Sequence, residues 1–83
     1  AGPDVMLAVL RHAKGDTVMM IGHNPGIAEF AGRLVAQKVP NPDFARYPTG
    51  ATLVVDFLAD NWADVGFGQG AVVDFVIPRE IVA

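Results

Sequence analysis

The residue best placed to do chemistry in this 83-residue chain is His23, in the sequence Gly22-His23-Asn24-Pro25-Gly26. An apolar run precedes the pentapeptide and a helical pattern follows it, so the imidazole stands where a strand passes into a helix. Free N–H groups and the positive end of a helix dipole favour an anion at that position. A histidine there can bind a phosphoryl oxygen and stabilise charge during phosphoryl transfer. The alternative is that the ring hydrogen-bonds to nearby backbone and only orders the turn.

The neighbours of His23 predict the elements that position it. Residues 18–21 are continuously apolar, as in a strand covered on both faces. Asn24 is expected to cap the next helix and Pro25 to take its first position, where a missing N–H costs nothing. The backbone N–H of Asn24 then faces the anion site, and Gly22 lets the backbone approach a ligand. The predicted phosphate-binding residues are therefore Gly22, His23 and Asn24.

Two helices are predicted around this segment. Residues 4–15 form the first, which Asp4 caps and Gly15 ends. Residues 25–37 form the second, and Glu29 and Arg33 are spaced to pair on its solvated face. Its inward stripe comprises Ile27, Phe30, Ala31, Leu34 and Val35.

The second half of the chain predicts two neighbouring antiparallel strands, residues 51–58 and 71–77, which share the tetrad Val-Val-Asp-Phe. Pro78-Arg79 ends the last strand. The connection 59–70 is long for a hairpin loop, so it is either mobile or packed by Trp62. Phe44 and Tyr47 are expected to anchor the preceding proline-rich loop. On the first strand, one face carries Leu53, Val55 and Phe57, and the other carries Thr52, Val54 and Asp56.

These elements predict an α/β fold in the order α-β-α-β-β, part of a three-layer sandwich with a mainly parallel sheet and an antiparallel last strand. An apolar strand at 18–21 needs cover on both faces, yet only two helices are predicted. The chain also begins Ala1-Gly2-Pro3, without methionine. We therefore expect residues 1–83 to be part of a larger domain, or to receive cover from another chain.

Composition limits the classes of partner and the cellular compartment that we expect for this chain. The net charge is −3 and the six Lys and Arg residues are scattered, which argues against nucleic acid. There is no cysteine, as suits a reducing compartment. No apolar run approaches the roughly 20 residues that span a bilayer. The cytoplasm is the expected location, with no membrane partner, and exposed apolar sheet surface is expected to favour self-association.

The pentapeptide and its surroundings resemble the second histidine motif of the histidine phosphatase superfamily, which is phosphoglycerate mutase-like. The most similar branch is the bacterial phosphohistidine phosphatases. The downstream order matches as well: Tyr47-Pro48-Thr49-Gly50-Ala51, a strand, a tryptophan, a glycine-containing loop and a strand ending in Pro78-Arg79. The resemblance covers essentially residues 1–83, but only the C-terminal half of the family's domain.

The resemblance implies hydrolysis of phosphohistidine or of a small phosphate ester through a phosphohistidine intermediate. In the family a first histidine, in an Arg-His-Gly-like motif, attacks phosphorus. The second histidine, matched by His23, stabilises the phosphoryl group, and two arginines from the N-terminal half complete the pocket. No metal or organic cofactor is implied. The implied partner is a phosphorylated small molecule or a phosphohistidine protein.

Arg11-His12 superficially resembles the nucleophile motif. His12 and His23 are only 11 positions apart in the sequence (23 − 12 = 11). A crossover between parallel strands needs a dozen or more residues. We interpret His12 as an exposed residue near the end of the first helix, with no role in chemistry. The nucleophile and both pocket arginines are then absent, and these 83 residues alone are expected to be inactive.

Two further hypotheses remain open. The chain could be an inactive, oligomeric module whose anion pocket binds without turnover. Alternatively His12 and His23 could share a metal ion, although no acidic ligands lie at suitable spacing in the sequence.

Overall fold

A computed structural model describes residues 2–78. Its elements are α1 (Pro3–Arg11), α2 (Gly26–Leu34), β1 (Thr52–Asp56), a 3₁₀ helix (Trp62–Asp64) and β2 (Ala71–Val76). The predicted mixture of helices and strands is confirmed, but residues 18–21 join no sheet. The last strand ends at Val76, just before Pro78, which was predicted to end it, and Arg79 lies outside the described residues. None of the helices found within 2–78 combines the length and apolar character that crossing a membrane requires.

Helix α1 begins with Pro3 rather than with a side-chain cap. Gly2 is the N-cap residue and Asp4 lies in the first turn, so the prediction that Asp4 caps the helix is wrong. Proline suits the first helical position because it has no backbone N–H that would need a partner. The Gly2 carbonyl accepts the Met6 N–H at 3.1 Å. The helix ends at Arg11, before the predicted stop at Gly15, although Gly15 has the expected positive φ of 89°.

Helix α2 is shorter than predicted at both ends. Pro25 is its N-cap residue, with φ −82° and ψ −6°, and Asn24 lies outside the helix. The C-terminal end falls at Leu34 because Val35 turns to an extended conformation and forms a parallel bridge with Gly70. The Gly70 N–H donates to the Leu34 carbonyl, and the Ala36 N–H donates to the Gly70 carbonyl, both at 2.8 Å. A long-range backbone pairing therefore ends the helix that local propensity would continue to residue 37.

Strands β1 and β2 pair antiparallel, as predicted, with Thr52 opposite Val76 and Asp56 opposite Ala71. A β-bulge between Val54 and Val55 accommodates one extra residue on β2. The predicted faces of β1 are confirmed, since the exposed positions are Thr52, Val54 and Asp56 and the half-buried ones are Leu53, Val55 and Phe57.

The core lies between the two helices and the inner face of this hairpin. Its buried members are Met6, Leu7, Leu10, Phe30 and Leu34. Packed against them are Val18, Met20, Ile27, Val55, Phe57, Trp62 and Phe67. The described residues thus form helices over one face of a two-stranded sheet. The predicted three-layer sandwich with a mainly parallel sheet is not what residues 2–78 form, because residues 18–21 have no partner strand.

Residues 18–21 nevertheless keep the alternation of a strand. Val18 and Met20 pack against the core, whereas Met19 and Ile21 are 82% and 87% exposed. No residue of this segment bonds through its backbone to the other described residues. A period of two is the burial pattern of a strand that is covered on one face only. The prediction of cover on both faces is therefore wrong for the part of the chain that the structure describes.

The outer surface of α2 also differs from expectation. Arg33 does not pair with Glu29 but lies over the ring of Phe67, with its guanidinium carbon 4.2 Å from the ring centroid. Phe67 in turn meets Phe30 edge-on, at 6.4 Å between centroids. A cation–π contact that joins helix to loop competes well with an exposed ion pair, which contributes little.

We predict that Leu34→Ala lowers the free energy of unfolding by about 2–5 kcal/mol, because it opens a cavity between the helices and the hairpin. Leu58→Ala is the matched control, since Leu58 is fully exposed, and it should change stability by less than about 0.5 kcal/mol. Urea unfolding followed by the fluorescence of Trp62, the one tryptophan, measures both. Equal effects of the two substitutions would contradict the core assignment.

Two glycine substitutions should act in opposite directions. Gly70→Ala should destabilise by about 1–3 kcal/mol, because a Cβ there would lie 2.9 Å from the Leu34 carbonyl oxygen, and this backbone atom cannot yield without breaking the bridge. Gly32→Ala should stabilise by about 1 kcal/mol, because its Cβ meets nothing within 4 Å and alanine favours the helix. The same unfolding assay decides, and a stable Gly70→Ala protein would refute the described bridge.

Candidate functional site

The imidazole of His23 is exposed at the turn that precedes α2. Its backbone carbonyl accepts the Ile27 N–H at 2.8 Å, which fixes the main chain of the turn. The ring itself makes no hydrogen bond to any residue from 2 to 78. The ring therefore does not order the turn, and it remains accessible to a ligand.

Asn24 holds the turn through its side chain. The amide nitrogen donates to the carbonyls of Arg46 and Tyr47, at 3.1 Å and 2.9 Å. The prediction that Asn24 caps α2 is wrong, because its side chain is engaged with a loop 22 and 23 residues further along the chain. Local capping propensity predicts a nearby backbone partner, so this long-range contact could not be predicted from residue types and spacing.

Gly22 has a packing role that the sequence analysis did not identify. A Cβ at this position would lie 3.1 Å from the terminal methyl group of Met6 and 3.3 Å from the Cδ1 atom of Ile27. The absence of a side chain lets α1 and α2 both approach the segment that leads to His23. This close approach accounts for the glycine without a ligand.

The N-terminus of α2 offers free donors beside His23. The N–H groups of Ile27 and Glu29 donate to the carbonyls of His23 and Pro25, at 2.8 Å and 3.2 Å. Those of Gly26 and Ala28 have no acceptor among the described residues. Unpaired donors and the helix dipole both favour an anion at this end of α2.

His23 lies at the rim of an open groove with a volume of about 1570 Å³. One wall is the segment from Ala13 to Asn24, and the other is the segment from Tyr47 to Phe57. Four carboxylates line the groove, those of Asp16, Asp56, Asp60 and Asp64, against the cations of Arg11 and Lys14. Arg11 is also engaged, since its Nε donates to the Val65 carbonyl at 2.8 Å. The groove alone therefore has a charge balance that does not favour a phosphate dianion.

Tyr47 connects the His23 turn to the sheet. It has a φ of +47°, uncommon for a residue with a side chain, and its carbonyl accepts from Asn24. The phenol oxygen accepts the Leu53 N–H at 3.1 Å, on the edge of β1 that faces away from β2. Its ring packs on Phe75 and Phe44, at 5.6 Å and 6.2 Å between centroids. The prediction that Phe44 and Tyr47 anchor this loop is confirmed.

Burial raises the pKa of Tyr47 above its ordinary value of 10.0, and the hydrogen bond from Leu53 opposes the rise in part. The neutral phenol is thus the form that the fold prefers.

His12 lies where the sequence predicted, exposed at the C-terminal end of α1. Its Nδ1 is 2.7 Å from the Ala8 carbonyl oxygen, one turn back on the same helix. Arg11 and His12 therefore belong to a helix end rather than to the strand end of a nucleophile motif. Within residues 2–78, no three His, Asp or Glu side chains are placed to hold a metal ion together.

The raised pKa of Tyr47 predicts a loss of stability at alkaline pH. Between the unfolded and folded pKa values the folded chain binds more protons than the unfolded chain, so stability is full below about pH 10 and falls as pH rises through the folded pKa. Tyr47→Phe should flatten this decline. Because the chain has one tyrosine, tyrosinate absorbance in native buffer and in denaturant gives both pKa values directly. A folded value at or below the denatured one would contradict the described burial.

Comparison of the chain with protein-family models, with curated proteins and with solved structures finds no match. The functional assignment therefore depends on the residues themselves and on the resemblance of their motifs.

Proposed function

We propose that this chain is the C-terminal half of a phosphatase of the histidine phosphatase superfamily, and that His23 is its phosphate-stabilising histidine. The reaction proposed is hydrolysis of phosphohistidine or of a small phosphate ester through a phosphohistidine intermediate. The observation that carries the proposal is an exposed imidazole to which no residue from 2 to 78 hydrogen-bonds, next to a helix N-terminus with N–H groups that are unpaired within the same range. Such donors act on developing negative charge because they are already oriented.

The charges that line the groove support the proposal that its phosphate site is incomplete in this chain. A phosphate dianion needs more positive charge than the groove offers, and the resemblance expects two arginines from an N-terminal half. His12 is held at a helix end, so the nucleophile is expected from that same half. On this proposal residues 18–21 pair with strands of that half, which completes the mainly parallel sheet of a three-layer sandwich. The cytoplasm remains the expected compartment, since the chain has no cysteine.

A second candidate function is an inactive module that binds an anion and associates with other chains. The specific observation in its favour is the high exposure of three large apolar side chains, those of Met19, Ile21 and Leu58. Exposed apolar side chains and unpaired strand edges are both templates for association with another chain. On this candidate, self-association replaces the missing half and no turnover occurs.

An activity assay separates the two candidates. A chromogenic phosphate ester and a phosphohistidine protein are offered to the 83-residue chain and to a chain extended by its upstream coding sequence. The first proposal predicts turnover in the extended chain only. His23→Ala should then lower kcat by about 10²-fold to 10³-fold, the usual effect of removing one transition-state donor.

His12→Ala is the matched control, because it removes an equally exposed imidazole from the end of α1. It should leave turnover unchanged. Turnover in the 83-residue chain itself, or its loss with His12→Ala, would overturn the division of roles. An extended chain that is folded and inactive, together with a short chain that sediments as a stable oligomer, would favour the second candidate.

A further inference from the structure

We propose that Asn24 is the positioning residue of the His23 site, and that its two hydrogen bonds to the Arg46–Tyr47 backbone set the direction of the imidazole. This inference rests on the proposed function, because it concerns the histidine that would contact phosphate. The claim that Asn24 orders the ring can be tested separately from phosphate binding.

The Asn24 amide is well suited to this task. It has two N–H donors, and the two acceptors are carbonyls of successive residues, at 3.1 Å and 2.9 Å. An aspartate of the same shape has no N–H to donate, and its carboxylate would face two carbonyl oxygens. The site therefore requires an amide and not merely a small polar side chain.

The conformation of Tyr47 makes this double contact possible. Successive carbonyls of an extended chain point to opposite sides, so both can reach one amide only where the chain turns. The positive φ of Tyr47 supplies that turn, in a conformation that is unfavourable for a residue with a side chain. Strained backbone persists where its surroundings hold it, and Tyr47 is held by Leu53, Phe44 and Phe75.

These contacts form one connected path from the sheet to the imidazole. β1 and β2 fix Tyr47, Tyr47 presents its own carbonyl and that of Arg46, and Asn24 fastens the turn onto them. His23 is the residue immediately before Asn24, and its ring has no hydrogen bond of its own among residues 2–78. No hydrogen bond holds the ring itself, so the constraint that the contacts described here place on it acts through the main chain of the turn. Freeing Asn24 should leave the fold in place and let the imidazole sample more directions.

The experiment uses NMR on the 83-residue chain, with two separate readouts. The first is the order of the His23 ring without ligand, from relaxation of its Cε1–H group. The second is the shift of that resonance when inorganic phosphate is added at constant pH and ionic strength. His12 serves as an internal reference, since its ring is bonded to its own helix.

The variants are Asn24→Ala, Asn24→Asp and Asn24→Gln, with Asn61→Ala as the control. Asn61 is exposed and makes no capping bond from its side chain. Asn24→Ala and Asn24→Asp should lower ring order and weaken phosphate binding by roughly threefold to tenfold, the usual cost of ordering one side chain on binding. Asn24→Gln keeps the amide on a longer stem and should restore part of both. Asn61→Ala should change neither.

The two readouts test two separate statements: that Asn24 positions the His23 ring, and that His23 binds phosphate. A folded Asn24→Ala or Asn24→Asp protein with the ring order of the parent chain overturns the positioning role, whether or not phosphate binds. If Asn24→Ala does not fold, the isosteric Asn24→Asp decides. On the proposed function the phosphate site is incomplete in the short chain. The phosphate titration is therefore repeated on the chain extended by its upstream coding sequence, and a His23 resonance that ignores phosphate there counts against the proposed function alone, because ring order still tests the role of Asn24.

Discussion

Residues 18–21 have the burial pattern of a strand, but no strand among residues 2–78 pairs with them, and this constraint shapes both the groove and the candidate site. Their N–H and C=O groups form no backbone bonds within the described chain, so they must stay where water can reach them. Val18 and Met20 cover the core from one side, and Met19 and Ile21 face outward. This one-sided packing leaves the groove open and leaves the helices covering a single face of the hairpin.

The same constraint explains the form of the candidate site. A strand inside a sheet would be fixed by its ladder, and the residue at its end would be placed accurately without further help. The segment that leads to His23 lacks a ladder, and side-chain bonds replace it: Asn24 fastens the turn to the Arg46–Tyr47 backbone. Gly22 allows the helices to pack closely against the segment just before the histidine. The imidazole is thus located by contacts on either side of it, and its own ring atoms stay unengaged.

The sequence predicted those features that depend on local pattern. The inward stripe of α2, the alternation of β1 and the antiparallel pairing of β1 with β2 all followed from residue spacing. Of the two alternatives for the long connection, packing by Trp62 is the one observed: its side chain packs against the core, and its indole N–H donates to the Gly15 carbonyl at 2.6 Å. The exposed position of His12 near the end of the first helix also followed from the helical pattern of residues 4–15, although the helix begins and ends at other residues than predicted. The Phe44–Tyr47 anchor was predictable because large aromatic side chains in a proline-rich loop need apolar cover.

The failures share a physical origin, since each depends on a partner far away in the chain. Residues 18–21 have strand composition, but a strand exists only when another strand pairs with it. Asn24 has the propensity of a helix cap, in which its side-chain oxygen would accept a backbone N–H, but in the structure its amide nitrogen donates to two distant carbonyls. Helix α2 ends earlier than predicted because Gly70 pairs with Val35. Arg33 contacts the ring of Phe67 instead of pairing with Glu29. No window of local sequence contains these partners.

Amide hydrogen exchange at residues 18–21 tests this account most directly. It should be measured on the 83-residue chain and on a chain extended by its upstream coding sequence. The account predicts rapid exchange at all four amides in the short chain and protection comparable to that of β1 in the extended one. Strong protection in a monomeric short chain, or rapid exchange in a folded extended chain, would contradict the claim that this segment is a strand completed by a missing half.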